Sequence, residues 1–240
     1  PLYQVAHGMS FGIVFGKLIY GGSGRYLVNP AMLGIAFLVF SYSELMFSRG
    51  AWVPVFGWDQ PTLLELVTEE GGIKVITAVD YSWWQLFLGD RPGAVGVVSV
   101  LGAAVGAIFL ILTGMASWRV IAGSLFGMIG VSLLGNVIAP DHLILSIPWY
   151  WHVVLGGFAF GTVFIAADPV TGAMTDPGRW GFGLMVGGLT VVIRLGNISY
   201  YEAMIFAILL ASLFSPLIDH VVVRRNIRRR RLRLREADDA

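Results

Sequence analysis

The chain contains no cysteine. That excludes disulfides, thiolate zinc sites and cysteine-held iron–sulfur clusters. Any redox chemistry would need an organic cofactor or come from partner chains. Charge is also scarce: Asp, Glu, Lys and Arg make up 13% of the residues, about half the roughly 25% of a soluble domain. With 56% hydrophobic residues and a mean hydropathy of +0.75 over 240 residues, an ordinary soluble domain is ruled out. Strand-like alternation with turn spacing is absent too, which argues against a membrane barrel. The remaining class is an all-α integral membrane protein. Its 31 glycines fit that class, because glycine is commoner in transmembrane helices than in soluble ones.

A helix needs about 20 apolar residues to cross the hydrocarbon core. Five stretches have that length: Val95–Met115, Trp118–Ala139, Ile147–Ala167, Trp180–Ile198 and Tyr201–Val223. Two shorter ones, Gln4–Tyr20 and Ala31–Phe47, precede them. Small residues recur four apart in Gly8/Gly12/Gly16, Gly102/Gly106, Gly123/Gly127, Gly157/Gly161 and Gly183/Gly187, a spacing that lets helix backbones approach closely. The pattern predicts a polytopic helical bundle. Residues 1–47 would hold the first membrane segments, 48–94 an external loop, 95–223 a five-helix bundle and 224–240 a basic tail. The chain starts at Pro1 beside a membrane segment, without a signal-peptide n-region, and reads as the later part of a longer protein.

Orientation follows from positive charge, which is retained on the cytoplasmic side. Eight of the 16 basic residues lie between Arg224 and Arg235, so that tail is predicted to be cytoplasmic. Counting back places Arg179, Arg119, Arg25 and Lys17 on the same side. The loop 48–94 then falls outside, with six acids against three bases. A basic tail could also meet anionic lipid or nucleic acid, but a topology anchor is the simpler reading.

Two interruptions resemble one another. The run Tyr20–Pro30, with Gly-Gly-Ser-Gly and then Asn29-Pro30, precedes one apolar segment, and Ala167-Asp168-Pro169 follows another. Paired broken helices point to half of an inverted-repeat fold with sites at the breaks. A helix start after Pro30 could hold an anionic or carbonyl-bearing ligand, although a plain loop accounts for the same residues. Ionisable groups in membrane segments are costly and usually functional. Glu44, His152 and Arg194 lie near outer segment ends, where snorkelling explains them as well as function does. Asp168 stands at a break, and Asp219 follows Pro216. Carboxylates beside freed backbone carbonyls suit a hard cation such as Na⁺; interfacial capping is the alternative. Trp83, Trp84, Trp149, Trp151 and Trp180 fit interfacial belts.

At these motifs the chain resembles the family of the B subunit of the Na⁺-pumping NADH:quinone oxidoreductase, related to the D subunit of the Rnf complex. The matching stretches are Gly21–Ala31, Ala116–Gly123, Pro148–Gly161, Ala167–Val170, Val192–Arg194 and Phe214–His220. They run over nearly the whole chain but cover only the family's C-terminal half. Trp151-His152 and Asn226–Arg229 resemble the B subunit more than the Rnf one.

The resemblance implies a multi-pass subunit of the bacterial inner membrane, with its C-terminus in the cytoplasm. It implies a translocase subunit that is not catalytic alone, passing electrons through flavins from NADH toward ubiquinone while Na⁺ crosses the bilayer. Partners would be other subunits, quinone, Na⁺ and lipid, without nucleic acid. The family joins FMN to a threonine in Asp-Gly-x-Ser-Gly-Ala-Thr; here Phe56–Thr62 falls at that place, with Gly57 and Thr62 matching. Thr62 is the candidate phosphoester site. Asn29 matches the Asn-Pro element near which a non-covalent riboflavin is held, and Asp168 and Asp219 match acids associated with Na⁺ passage. The family's quinone-site glycines would lie upstream of Pro1. An Rnf-type subunit, which leaves H⁺ open beside Na⁺, a non-redox inverted-repeat channel or transporter, and a membrane scaffold are the alternative readings.

Overall fold

The structure, a computed structural model, describes residues 2–46, 82–90, 96–140, 142, 144–196 and 203–238. Thr62 and most of the predicted external loop lie outside these. Among the described residues the regular elements are all helical. In chain order they are α1 (Leu2–Ile13, continued by a π-helical turn over Val14–Leu18), α2 (Pro30–Ser41), α3 (Ser43–Met46), α4 (Trp83–Leu88) and α5 (Val100–Leu112). There follow α6 (Trp118–Ile138), α7 (Trp149–Val154), α8 (Phe158–Phe160, continued by a π-helical turn over Gly161–Ala166), α9 (Asp176–Gly196) and α10 (Ala203–Asp238).

Among the described residues two helices are long and apolar enough to cross a membrane, Trp118–Ile138 and a span within α10, Ala203–Leu234. Outward-facing Leu101, Val105, Ile108 and Phe109 on α5 and Phe126, Leu134 and Val137 on α6 are exposed. Such continuous apolar exteriors suit lipid rather than water. The chain is a helical membrane protein.

In lipid, close van der Waals contact between helices takes over the role that burial from water plays elsewhere. The glycine spacings show how this chain achieves it. On α6 and α9 the two glycine pairs meet each other: a methyl on Gly123 would lie 3.2 Å from the Cα of Gly183. One on Gly187 would overlap the carbonyl oxygen of Ser124, and one on Gly127 that of Leu184. The helices run parallel, since Trp118 meets Trp180 edge-on at 5.6 Å and Arg119 pairs with Asp176 at 3.2 Å. Helix α10 runs antiparallel to α9, tied near one end by Thr190 Oγ1 donating to Met204 Sδ at 3.2 Å. Gly8, Gly12 and Gly16 face Leu38, Gly34 and Pro30 in an antiparallel α1–α2 hairpin, and Phe40 touches Phe206 of α10.

The apolar stretch 147–167, expected to form one helix, is broken. Leu155 is extended (φ −93°, ψ 143°), and Gly156 and Gly157 take φ of 59° and 67°. Side chains rarely adopt that region, whereas glycine enters it at little cost. Gly157, which the spacing assigns to helix packing, therefore serves the turn instead. The chain also differs from expectation beyond residue 223: α10 continues through the arginine-rich stretch to Asp238 without interruption.

Candidate functional site

Two polar clusters stand out against the apolar helices. The first lies at the end where α6 and α9 begin. Asn29 caps α2: its Oδ1 accepts from the backbone N–H of Ala31 at 3.0 Å and of Met32 at 3.4 Å. Pro30 at the first helical position has no N–H to satisfy, so the cap answers the donors that follow. The preceding loop turns through Gly21, Gly22 and Gly24, all with positive φ. It carries Tyr26, whose phenol pKa is raised by burial and by the Asp168 carboxylate. The two breaks read from the sequence thus stand within electrostatic reach of each other.

Asp168 ends the helical stretch that α8 begins. Its Oδ1 accepts from Val170 N–H at 3.1 Å and its Oδ2 from the Thr171 hydroxyl at 3.2 Å, an Asx-type turn. Asp219, on α10, reaches across to the segment before α9. Its Oδ2 accepts from Met174 N–H at 2.7 Å. Its Oδ1 accepts from Thr175 N–H at 3.0 Å and from the Thr175 hydroxyl at 2.5 Å. Thr175 Oγ1 in turn accepts from Gly178 N–H at 3.2 Å, so Thr175 caps α9 while holding Asp219. A carboxylate at a helix N-terminus is favoured by the dipole and by the N–H donors there.

These bonds bear on cation binding. A carboxylate offers about four lone-pair sites, and three at Asp219 face donors. Among the described residues no group of three or more His, Cys, Asp or Glu side chains could hold a metal ion. Any cation at this end would draw on backbone carbonyls and on what Asp168 leaves uncommitted.

The second cluster is buried at the far end. Arg194 and His152 are 3% and 1% exposed, so neither snorkels to an interface. Arg194 Nη2 donates to the Leu155 carbonyl at 2.7 Å. Its Nη1 donates to His152 O at 3.4 Å and stands 2.9 Å from His152 Nδ1. Guanidinium only donates, so Nδ1 accepts and the ring proton lies on Nε2. The carbonyls it meets lie at the break after α7, where among the described residues Leu155 O accepts besides only from the Phe158 N–H at 3.5 Å, and a cation is the favoured group at a helix C-terminus. Sequence reading missed two of these roles. Thr175-Asp176-Pro177 is a legible helix start, hidden because hydropathy alone put the helix at Trp180. The Arg194–His152 contact spans 42 positions and has no local signature.

Comparison with known proteins places these motifs. Residues 1–228 match the NQR2, RnfD, RnfE family. The chain is 45% identical over 231 residues to the B subunit of the Na(+)-translocating NADH-quinone reductase of Azotobacter vinelandii, covering 96% of this chain and 57% of that protein. The corresponding B subunit of Ectopseudomonas mendocina is 46% identical with the same coverage. That of Klebsiella pneumoniae is 45% identical over 237 residues, covering 97% of this chain and 58% of the relative. The chain spans a little over half the length of these relatives. With the match running through both polar clusters, the chain belongs to the NQR2, RnfD, RnfE family.

Proposed function

We propose that this chain is part of a membrane subunit of a redox-driven Na⁺ pump, relaying electrons from NADH toward ubiquinone through flavin. The observation that carries this reading is its 45% identity, over 96% of its length, to a protein named for Na⁺-translocating NADH-quinone reduction. In this reading the chain lies in the bacterial inner membrane as half of an inverted repeat, with other subunits as partners and the Arg224–Arg235 end in the cytoplasm. Cysteines placed at Arg233 and Thr68 of this cysteine-free chain should then label from opposite sides with an impermeant reagent. Labelling of both from one side would refute the topology.

FMN is proposed on Thr62, through its phosphate, and riboflavin near Asn29. Asn29 fits a flavin in one respect: its Oδ1 is committed to capping, so its amide N–H₂ is the group that would meet a ring carbonyl. A flavin would supply the one-electron steps, and this chain would position its ring. Thr62→Val should abolish flavin fluorescence on a denaturing gel, and Asn29→Leu should release extractable riboflavin.

Asp168 and Asp219 are proposed to serve Na⁺ uptake. Their asparagine variants should raise the Na⁺ concentration for half-maximal quinone reduction by about 5- to 150-fold, equivalent to ~1–3 kcal/mol for one charged contact. A second reading for Asp219 has its own support, because three donors occupy its carboxylate. In that reading it ties α10 to α9. Lower stability with unshifted Na⁺ dependence would then follow for Asp219→Asn, while Asp168→Asn would still shift it.

A further inference from the structure

The exposed end of α10 has no part in electron relay or Na⁺ uptake as proposed. Arg224, Arg225, Arg228, Arg229, Arg230, Arg231 and Arg233 are exposed along one uninterrupted helix. We propose that this projecting helix docks onto an acidic protein surface, the water-facing domain of a partner subunit, rather than onto lipid headgroups.

Length is the first support. Counting about 20 residues from Ala203 for the hydrocarbon core puts its edge near Val222. The headgroup layer adds roughly 5–8 Å per side. At about 1.5 Å per residue, Arg228 lies ~9 Å beyond Val222 and Arg233 ~16 Å beyond it. Arg224 and Arg225 fall among headgroups, whereas the outer arginines stand past them.

Nor is the helix built to lie flat on a membrane. An interfacial helix needs a broad apolar face opposite its charges. Here Val223, Ile227 and Leu234 form one narrow exposed seam while exposed Leu232 falls on the opposite side of the helix, and every other position from 224 to 233 except Asn226 is an arginine. A short apolar seam with an arginine rim is the pattern of a protein interface, where arginine is enriched. Like charges three and four apart oppose helix formation, and this stretch places them at Arg224/Arg228, Arg225/Arg228, Arg225/Arg229, Arg228/Arg231, Arg229/Arg233 and Arg230/Arg233. Among the described residues no acidic side chain of this chain pairs with them. Countercharge from a partner removes that repulsion.

The inference rests on the multi-subunit reading, and the test separates the two. Full-length tagged protein is isolated from its native membranes at about 0.1 M and about 1 M salt, where the Debye length falls from ~10 to ~3 Å. Wild type, an Arg224→Gln/Arg225→Gln pair and an Arg228→Gln/Arg229→Gln/Arg231→Gln/Arg233→Gln set are compared; glutamine preserves helix propensity. The expected result is that wild type and the inner pair retain an identified subunit of the complex at the lower salt, while the outer set loses it. A photo-crosslinker on Arg233→Cys should join that same subunit. If the outer set keeps every subunit, or the crosslinker joins phospholipid alone, the proposal is overturned. Wild type isolated with no other subunit would overturn the multi-subunit reading, and the docking proposal with it. Should the outer set fail to insert, the Arg233 crosslink decides alone.

Discussion

Replacing Asp219 with asparagine tests the tie between α10 and α9 directly. The variant keeps the shape but turns one oxygen into a group that can only donate. In one rotamer that nitrogen faces Met174 N–H across 2.7 Å; in the other it faces Thr175 N–H across 3.0 Å. At least one hydrogen bond to a charged acceptor is lost either way, about 1.5–3 kcal/mol. Loss of negative charge beside the start of α9 adds about 0.3–1 kcal/mol. The sum is about 2–4 kcal/mol of destabilisation. Thr175→Val removes the hydroxyl from the same network and with it the cap on Gly178 N–H, about 0.5–2 kcal/mol for the cap alone. Because the two side chains share a 2.5 Å hydrogen bond, their effects should not add. A double-mutant cycle on unfolding in mixed micelles should give a coupling energy of about 0.5–3 kcal/mol. Additive variants, or an Asp219→Asn protein as stable as wild type, would refute the tie.

Three further outcomes are expected. Arg194→Met takes the side-chain donor from the His152 and Leu155 carbonyls, of which Leu155 keeps the Phe158 N–H; at about 0.6–2 kcal/mol per interhelical hydrogen bond in a membrane, it should cost ~1–4 kcal/mol, read as a lower unfolding midpoint. Gly187→Ala should destabilise by about 1–3 kcal/mol or more through overpacking, whereas Gly130→Ala, with no atom within 4 Å of the new methyl, should be neutral or stabilising by about 0.5–1 kcal/mol; equal effects would contradict the glycine seam. Tyr26 has its pKa raised above 10.0 by burial and by Asp168, so the stability tied to its neutral form is complete below the unfolded value and lost as pH rises through the folded one. Asp168→Asn should bring the Tyr26 phenolate signal, isolated by difference against Tyr26→Phe, to lower pH.

What was legible in the sequence was set by local or periodic signals. Glycines four apart on α6 and α9 foretold close packing, because a missing side chain has the same consequence wherever two backbones meet. Asn29-Pro30 announced a helix start that the structure has. The break after α7 was written in Leu155-Gly156-Gly157, yet apolar composition concealed it, since hydropathy does not register backbone conformation. The partners of Asp219 and Arg194 were not legible, because each lies some forty residues away. Charge near a segment end suggests an interface, and only the fold reveals that Arg194 points inward to a broken helix. Thr62 lies outside the described residues, so its proposed role rests on sequence alone.

The glycine seam between α6 and α9 also limits where anything can pass. Backbone stands against backbone there, with the Cα of Gly183 close beneath Gly123 and Ser124 against Gly187. A water molecule needs a space about the size of a 1.4 Å-radius probe sphere and two to four polar partners, and a hydrated cation needs more. Where these backbones touch, that space is missing, so the contacts between them leave no passage for an ion. An ion passing through this chain, as proposed, would keep to the other flank of α9, where α10 packs, between the Asp168 and Asp219 end and the His152 and Arg194 end.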